Sequence, residues 1–170
     1  AGHAPVKITP PPGNAHELEE RVPFAGMRRK ISQKMAQSKH TAAHFTFVEE
    51  CDVGRLKELR ARLKPRAEKQ GVKLSFLPFI IKAVVAALKK HPILNSALDE
   101  STNELVYRKY YNIGMAASTD AGLMVPVIRD CDRLGVLQIS RSIAAIADQA
   151  RSRTIARENL IGGTFTISNV

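Results

Sequence analysis

GGTFTISNV, residues 162–170, is the stretch of the sequence that decides the fold. After the glycine pair, hydroxyl and apolar side chains alternate from Thr164 to Ser168, which is the two-residue period of a β-strand. The hydroxyl groups therefore share one face of the strand, while Phe165 and Ile167 share the other. The pattern predicts a closing strand that is entered through glycine and has one hydroxyl face and one apolar face.

Two helices are predicted in the first half of the chain. Met27, Ile31 and Met35 recur every four residues and predict a helix of about 14 residues with one narrow apolar stripe. Asp52 is a suitable N-cap for the second helix, because a carboxylate there accepts a hydrogen bond from a free backbone N–H group. Gly71 is predicted to end that second helix, since glycine favours the conformation that follows a helix C-terminus.

Two more helices are predicted further along the chain. Ser75 is predicted as the N-cap of the third, and Pro78 falls in its first turn, where a missing N–H group has little effect. The run 79–88 is apolar almost all round, so burial of this helix on most sides is expected. The fourth helix is predicted from Val136 to Ser152, with isoleucines at helical spacing.

The remaining segments have extended patterns. Strands are predicted at residues 45–51, Ile93–Leu98, Glu104–Ala117 and Leu123–Ile128. Pro126 argues for an edge or a bulge in the last of these, and a hairpin turn is expected at residues 119–122. The order α-β-α-α-β-β-β-α-β lacks strict βαβ alternation. It predicts an α+β fold with a mixed β-sheet and helices packed on one face.

The length and composition are those of one globular domain with a linker. Of the 170 residues, 44% are hydrophobic and 25% are charged, which is ordinary for a globular protein. Residues 1–21 are rich in proline and read as a flexible linker, so the domain is expected over 22–170. No apolar run is long enough for a membrane span and no secretory signal is visible, so a cytoplasmic protein without membrane contacts is expected.

The net charge of +10 indicates anionic partners, such as phosphorylated ligands, acidic protein surfaces or nucleic acid. Nucleic acid is the weakest of these, because aromatic residues are scarce and do not lie among the basic ones. Cys51 and Cys131 are predicted to be reduced thiols, since they lie far apart and outside any paired motif. The five histidines show no ligand spacing, so no metal site is expected.

Common catalytic motifs are absent from the sequence. There is no G-x-S-x-G elbow, no phosphate-binding G-x-x-x-x-G-K-[ST] loop and no G-x-G-x-x-G fingerprint. No pair of carboxylates stands out either. Composition and spacing alone therefore name no reaction.

Five blocks of the sequence together resemble one enzyme family, the catalytic core domain of the dihydrolipoyl acyltransferases of 2-oxo acid dehydrogenase complexes. The blocks are MRRKISQKMAQSKHTAAHFT (27–46), DVGRLKELRARLK (52–64), GVKLSFLPFIIKAVVAALKKHPILNSALDE (71–100), YYNIGMAASTDAGLMVPVIRD (110–130) and GGTFTISNV (162–170). They follow the family order and cover nearly everything after residue 21. The proline-rich front resembles the linker that joins this core to subunit-binding and lipoyl domains.

The resemblance implies a fold like that of chloramphenicol acetyltransferase and the transfer of an acyl group between dihydrolipoamide and coenzyme A. Overall similarity favours acetyl as that group and leaves branched-chain and succinyl groups open. It implies homotrimers that assemble into cubic or dodecahedral cores, in the bacterial cytoplasm or, for a eukaryotic protein, the mitochondrial matrix. The expected partners are lipoyl domains, which bring lipoamide from outside this chain, and the dehydrogenase components of the complex. The alternative is a scaffold segment of such a core that catalyses nothing.

The resemblance also assigns a catalytic role to one residue. Ser168 matches the hydroxyl that hydrogen-bonds the oxyanion of the tetrahedral intermediate. The family's general base is a histidine in an H-x-x-x-D-G motif, and none of the five histidines here is followed by that pattern. The chain is therefore expected to be incomplete at its C-terminus, to lack the catalytic His and Asp, and to be inactive alone.

Four coenzyme A contacts follow from the same resemblance. Arg60 matches a basic position near the nucleotide phosphates, where a guanidinium group forms forked hydrogen bonds. Ser75 lies at a helix N-terminus, which favours anions, although a simple N-cap would explain it equally well. Ser118 occupies a position where some members have an aspartate, and Asn169 is expected to line the channel with Ser168.

Overall fold

The computed structural model describes residues 6–9, 12–119, 122–152 and 154–168. The chain forms two compact units, Ala1–Glu50 and Cys51–Val170. None of the helices in the described ranges combines the length and the apolarity that a membrane span requires.

The first unit contains one long helix. A short 3-10 helix covers Gly13–Leu18, and α1 covers Gly26–Thr41, which confirms the first predicted helix. The strand predicted at 45–51 is wrong, because the backbone there belongs to no helix or strand. Phe45 and Phe47 are 89% and 76% exposed. Alternation of side chains is not sufficient for a strand, since its backbone groups also need a neighbouring strand, and none of the described strands pairs with this segment.

The second unit contains α2 over Gly54–Glu68, α3 over Leu77–Lys90 and α4 over Val136–Arg151. Short 3-10 helices cover Pro92–Asn95 and Arg157–Leu160. The predicted end at Gly71 agrees with its φ of +67° and with the hydrogen bond of 2.9 Å from Val72 N to Ala67 O. Pro78 lies in the first turn of α3, as predicted.

Both predicted caps in this unit lie one residue too early. Val53, not Asp52, is the N-cap of α2, and the Asp52 carboxylate accepts a hydrogen bond of 2.7 Å from Gly54 N. Phe76, not Ser75, is the N-cap of α3, because Phe79 N and Ile80 N both donate to Phe76 O. The Ser75 side chain is consequently not used to cap the helix.

The strands in the described part of the chain form three small sheets. They are β1 (Ser96–Asp99), β2 (Glu104–Tyr107), β3 (Ile113–Met115), β4 (Ala117–Thr119), β5 (Gly122–Met124), β6 (Val127–Ile128) and β7 (Phe165–Ile167). The central sheet has the order β6-β3-β7, in which β3 is antiparallel to β6 and parallel to β7. This pairing confirms the predicted mixed sheet and the predicted closing strand.

The prediction of one long strand over Glu104–Ala117 is wrong, because β2, β3 and β4 are separate. The Asn95 amide donates hydrogen bonds to Arg108 O and Tyr110 O. These carbonyl groups lie between β2 and β3, where they bond to a side chain and not to a neighbouring strand. Pro126 likewise separates β5 from β6, and its carbonyl accepts a hydrogen bond of 2.9 Å from Met115 N. The predicted hairpin is confirmed by the pairing of Thr119 with Gly122.

The core lies between the central sheet and two helices. It contains buried residues of α3, β3, β6 and α4, namely Ile81, Val85, Leu88, Ile113, Met115, Ile128, Ile139 and Ile146, together with Cys131. Phe165 and Ile167 pack against this cluster. The apolar face of β7 therefore points to the helices, which places the end of the strand next to the beginning of α3.

Candidate functional site

A cavity of about 540 Å³ lies where the N-terminus of α3 meets the end of β7. The described residues of its lining are two serines and four apolar residues: Ser75, Phe76, Leu77, Ile80, Ile167 and Ser168. Burial of α3 on most sides was expected, but Ile80 is 41% exposed because it faces this cavity. The volume is in the range of small-molecule sites, which are mostly apolar with a few convergent polar groups.

The strand pairing holds Ser168 at the edge of the cavity. Ile167 lies opposite Met115 in the parallel pair of β3 and β7, and Ala116 N donates a hydrogen bond of 3.0 Å to Ile167 O. Ser168 follows directly after this last bond and is exposed. The sheet therefore fixes the backbone immediately before Ser168, the residue that carries this hydroxyl group.

Asn112 connects the segment before β7 to the rest of the sheet, and sequence reasoning missed it. Its side chain is 6% exposed, its Nδ2 donates to Gly162 O at 3.0 Å, and its Oδ1 accepts from Asp130 N at 3.0 Å. Its backbone O accepts from Thr164 N at 2.8 Å. No spacing distinguishes this asparagine from others, since its partners lie 18 and 50 residues away.

Arg60 supports the cavity wall from α2. Its Nε donates a hydrogen bond of 2.9 Å to Leu74 O, and its guanidinium carbon lies 4.7 Å from the centre of the Phe76 ring. This distance is within the range of a cation–π contact. Within the described ranges, the terminal guanidinium nitrogens make no hydrogen bond or ion pair, so they are available to an anion.

The structure thus brings three of the predicted site residues to one place. Ser168 and Ser75 line the cavity, and Arg60 holds the Phe76 ring that forms its wall. Ser118 lies on β4 opposite Leu123, and its side chain is outside the described part. Asn169 also lies outside the described residues.

Among the described residues that line the cavity, none carries a proton acceptor stronger than a hydroxyl or backbone carbonyl group. His91 is the C-cap of α3, and the 14-residue rise of the helix places it about 21 Å along the axis from the cavity end. Cys131 is fully buried, and desolvation raises the pKa of its thiol, which keeps it protonated and unreactive. No cluster of three or more His, Cys, Asp or Glu that could hold a metal is found in the described residues.

Residues 16–170 match the family of 2-oxoacid dehydrogenases acyltransferase (catalytic domain). The chain belongs to this family. A curated relative, the dihydrolipoyllysine-residue acetyltransferase component of the pyruvate dehydrogenase complex of Staphylococcus aureus (strain COL), is 44% identical over 167 residues. The match covers 98% of this chain and 38% of the relative.

Two similar solved structures come from the same kind of protein. One is the dihydrolipoamide acetyltransferase of Azotobacter vinelandii, solved to study a serine, a histidine and an asparagine in its catalytic mechanism. The other is the cubic core of the pyruvate dehydrogenase multienzyme complex. Each has a TM-score of 0.83 and 36% identity to this chain, and each match covers 95% of this chain and 68% of the other. These matches confirm the predicted family and α+β fold.

Proposed function

We propose that this chain is part of the catalytic core of an acyltransferase that transfers an acetyl group between dihydrolipoamide and coenzyme A. The family match and the names of the S. aureus and A. vinelandii relatives support acetyl transfer. The observation that carries the proposal is the exposed Ser168 at the mouth of an apolar cavity. A thioester and a thiol both suit such a cavity better than a strongly hydrated substrate does.

Ser168 is the residue that we assign to the chemistry. Attack of a thiol on a thioester carbonyl places negative charge on the carbonyl oxygen, and a hydroxyl group that donates to that oxygen lowers the barrier. Removal of one such donor reduces kcat by about 10²–10³-fold. The proton of the attacking thiol needs an acceptor, and the 170 residues contain no H-x-x-x-D-G motif to supply the family's base.

The coenzyme A site is assigned to the cavity and its rim. We assign the terminal nitrogens of Arg60 to the phosphate groups, and the bond from its Nε to Leu74 O, which leaves those nitrogens unused, supports this assignment. Ser75 precedes the N-terminus of α3, where free N–H groups favour anions, and its hydroxyl does not cap the helix. We also assign Ser118 and Asn169 to the coenzyme A site, on the basis of the family match.

The partners follow from the same relatives. We place the protein in the core of a pyruvate dehydrogenase complex, as homotrimers within a cubic or dodecahedral assembly, and the solved cubic core supports this assignment. Lipoyl domains and the dehydrogenase components are the remaining partners. The bacterial origin of the curated relative favours the bacterial cytoplasm over the mitochondrial matrix.

Titration calorimetry with coenzyme A tests the assignment on the chain itself. Arg60→Gln is expected to weaken binding by tenfold or more, because charge-assisted hydrogen bonds are worth about 1.5–3 kcal/mol. Arg62→Gln, which changes an exposed arginine on the same helix, is the matched control and leaves the affinity unchanged. Absence of binding at millimolar coenzyme A, or equal affinity of the two variants, contradicts the proposal.

A second candidate is a scaffold that assembles without catalysing transfer. It is favoured by the fact that none of the described residues that line the cavity is a histidine. The two candidates differ in ligand binding, because a pure scaffold has no reason to retain a coenzyme A site. Self-association without any coenzyme A binding would support the scaffold candidate over the acyltransferase.

A further inference from the structure

A second cavity, of about 330 Å³, lies beside α4 and is not used by the proposed function. We call it the α4 cavity. Its floor is apolar, because Val127, Ile128 and Ile146 are only 5%, 3% and 9% exposed. Its described lining shares no residue with that of the cavity beside Ser168. The two cavities are therefore separate sites.

Helical spacing builds one wall of the α4 cavity. Ser142, Ala145, Ile146 and Gln149 are at positions i, i+3, i+4 and i+7 of α4, so they lie on one face of the helix. Between Ser142 and Gln149 this face rises about 10.5 Å. At roughly 30 Å³ for each water molecule, the cavity has room for about eleven waters. A small organic ligand therefore fits.

Arg129 is the charged residue of the described lining, which contains no acidic side chain. Its Nη2 donates hydrogen bonds to Glu158 O at 2.7 Å and to Ile161 O at 3.4 Å. These carbonyl groups hold the guanidinium group in place without neutralising its charge, and none of the ion pairs in the described ranges includes Arg129. A guanidinium group that is positioned but unpaired favours a carboxylate as its ligand.

Three uncharged polar side chains of the lining have hydrogen-bonding capacity that the fold leaves unused. The Ser142 hydroxyl and the amides of Gln149 and Asn159 make no hydrogen bond within the described part of the chain. All three residues are half-buried. Polar groups that are withdrawn from water are normally paired, so a cavity that collects several unpaired ones is suited to a ligand with a polar end.

We propose that the α4 cavity binds a small monocarboxylate with an apolar tail. The carboxylate pairs with Arg129, and its oxygens have about four acceptor positions, so the amides of the lining are available to donate to those that Arg129 leaves free. The tail covers the apolar floor together with Leu134. Inorganic phosphate suits the cavity less well, because it would leave this floor in contact with water.

Binding of hexanoate to the 170-residue chain, followed by ligand-observed NMR and by thermal unfolding, tests the site. Hexanoate is expected to bind saturably and to raise the Tm, since a ligand that binds only the folded chain stabilises it. Hexanamide has the same tail without the charge and is expected to bind at least about tenfold more weakly. Acetate and inorganic phosphate lack the tail and are also expected to bind at least about tenfold more weakly than hexanoate.

Two variants and a control connect this binding to the cavity. Arg129→Gln is expected to weaken hexanoate binding at least about tenfold, but it also removes the bonds to Glu158 O and Ile161 O. Gln149→Glu therefore provides a second variant, which preserves the size of the side chain and places a negative charge against the carboxylate. It is expected to weaken hexanoate at least about tenfold and to change hexanamide binding by less than about threefold. Arg151→Gln removes an exposed charge of α4 outside the described lining and leaves the affinity unchanged.

Four results overturn the inference: no saturable binding of hexanoate, equal affinity for hexanoate and hexanamide, equal affinity for hexanoate and either acetate or phosphate, or hexanoate binding that neither cavity variant weakens. Coenzyme A binding is measured in a separate titration and can fail or succeed without changing this result, because the two cavities share no described lining residue.

Discussion

Replacing Asn112 with alanine removes the side chain that joins three segments around β7. The change deletes the hydrogen bonds to Gly162 O and from Asp130 N, both of 3.0 Å, and keeps the backbone bond to Thr164. A partner group left unsatisfied costs about 1–3 kcal/mol. Gly162 and Asp130 are exposed, so water replaces part of each bond, and we expect a loss of about 2–3 kcal/mol in total.

Chemical denaturation at constant pH measures this loss directly. In thermal unfolding of a chain of this size, 1 kcal/mol corresponds to about 2–4 °C in Tm, so the Tm should fall by about 4–12 °C. Asn159→Ala is the control, because it removes a half-buried amide whose side chain makes no hydrogen bond within the described ranges. Coenzyme A affinity should also fall in Asn112→Ala, since Ser168 directly follows the strand that this residue anchors. Equal stability of the two variants would refute the role of Asn112 in holding β7.

Three further changes follow from local geometry. Gly114→Ala should lose about 1–3 kcal/mol, because an added Cβ would lie 2.9 Å from Val125 Cγ1 and 3.2 Å from Thr166 Oγ1; unchanged urea unfolding would contradict this. A thiol reagent should modify the exposed Cys51 at once and Cys131 only on unfolding, and rapid labelling of both thiols would show that the second site is open. The Ser101 hydroxyl and backbone N–H lower the pKa of Asp99 below its ordinary value of 3.8. The original chain should therefore be more stable than Asp99→Asn above pH 3.8, and this difference in the free energy of unfolding should disappear on further acidification. A difference that persists in acid would exclude this explanation.

The helices of the second unit were predictable because their signals are local. The isoleucine spacing of α4 and the position of Pro78 in α3 depend on residues within one or two turns of each other. The caps at Asp52 and Ser75 were misplaced by one residue, because the N-caps in the structure, Val53 and Phe76, make no side-chain cap hydrogen bond that would mark them in the sequence. The end of the second helix near Gly71 was predictable because the positive φ that follows a helix C-terminus favours glycine.

Strand boundaries depended on contacts that the sequence does not display locally. Residues 45–51 contain the strand-forming run Phe45-Thr46-Phe47-Val48, yet only residues 165–167 form a strand, because β3 is available to pair with them. The break after β2 depends on the Asn95 side chain, which reaches carbonyl groups 13 and 15 residues away. Pairing partners and long-range hydrogen bonds of this kind are set by the tertiary structure.

The candidate site was found through the family resemblance and not through spacing. Ser75 and Ser168 are 93 positions apart in the sequence, and only the packing of α3 against β7 brings them to one cavity. The contact between Arg60 and Phe76 was also invisible, because it joins α2 to the N-cap of α3. Asn112 was missed for the same reason.

Disulfide exchange at position 168 tests the central claim most directly. In a Cys51→Ser background, the thiolate of Ser168→Cys attacks the disulfide of oxidised coenzyme A, forms a mixed disulfide and releases one coenzyme A thiol. We predict a rate that saturates with reagent, exceeds that of Ser101→Cys by at least tenfold and falls when Arg60→Gln is added. Labelling that rises linearly with concentration at the Ser101→Cys rate would contradict a coenzyme A site beside Ser168.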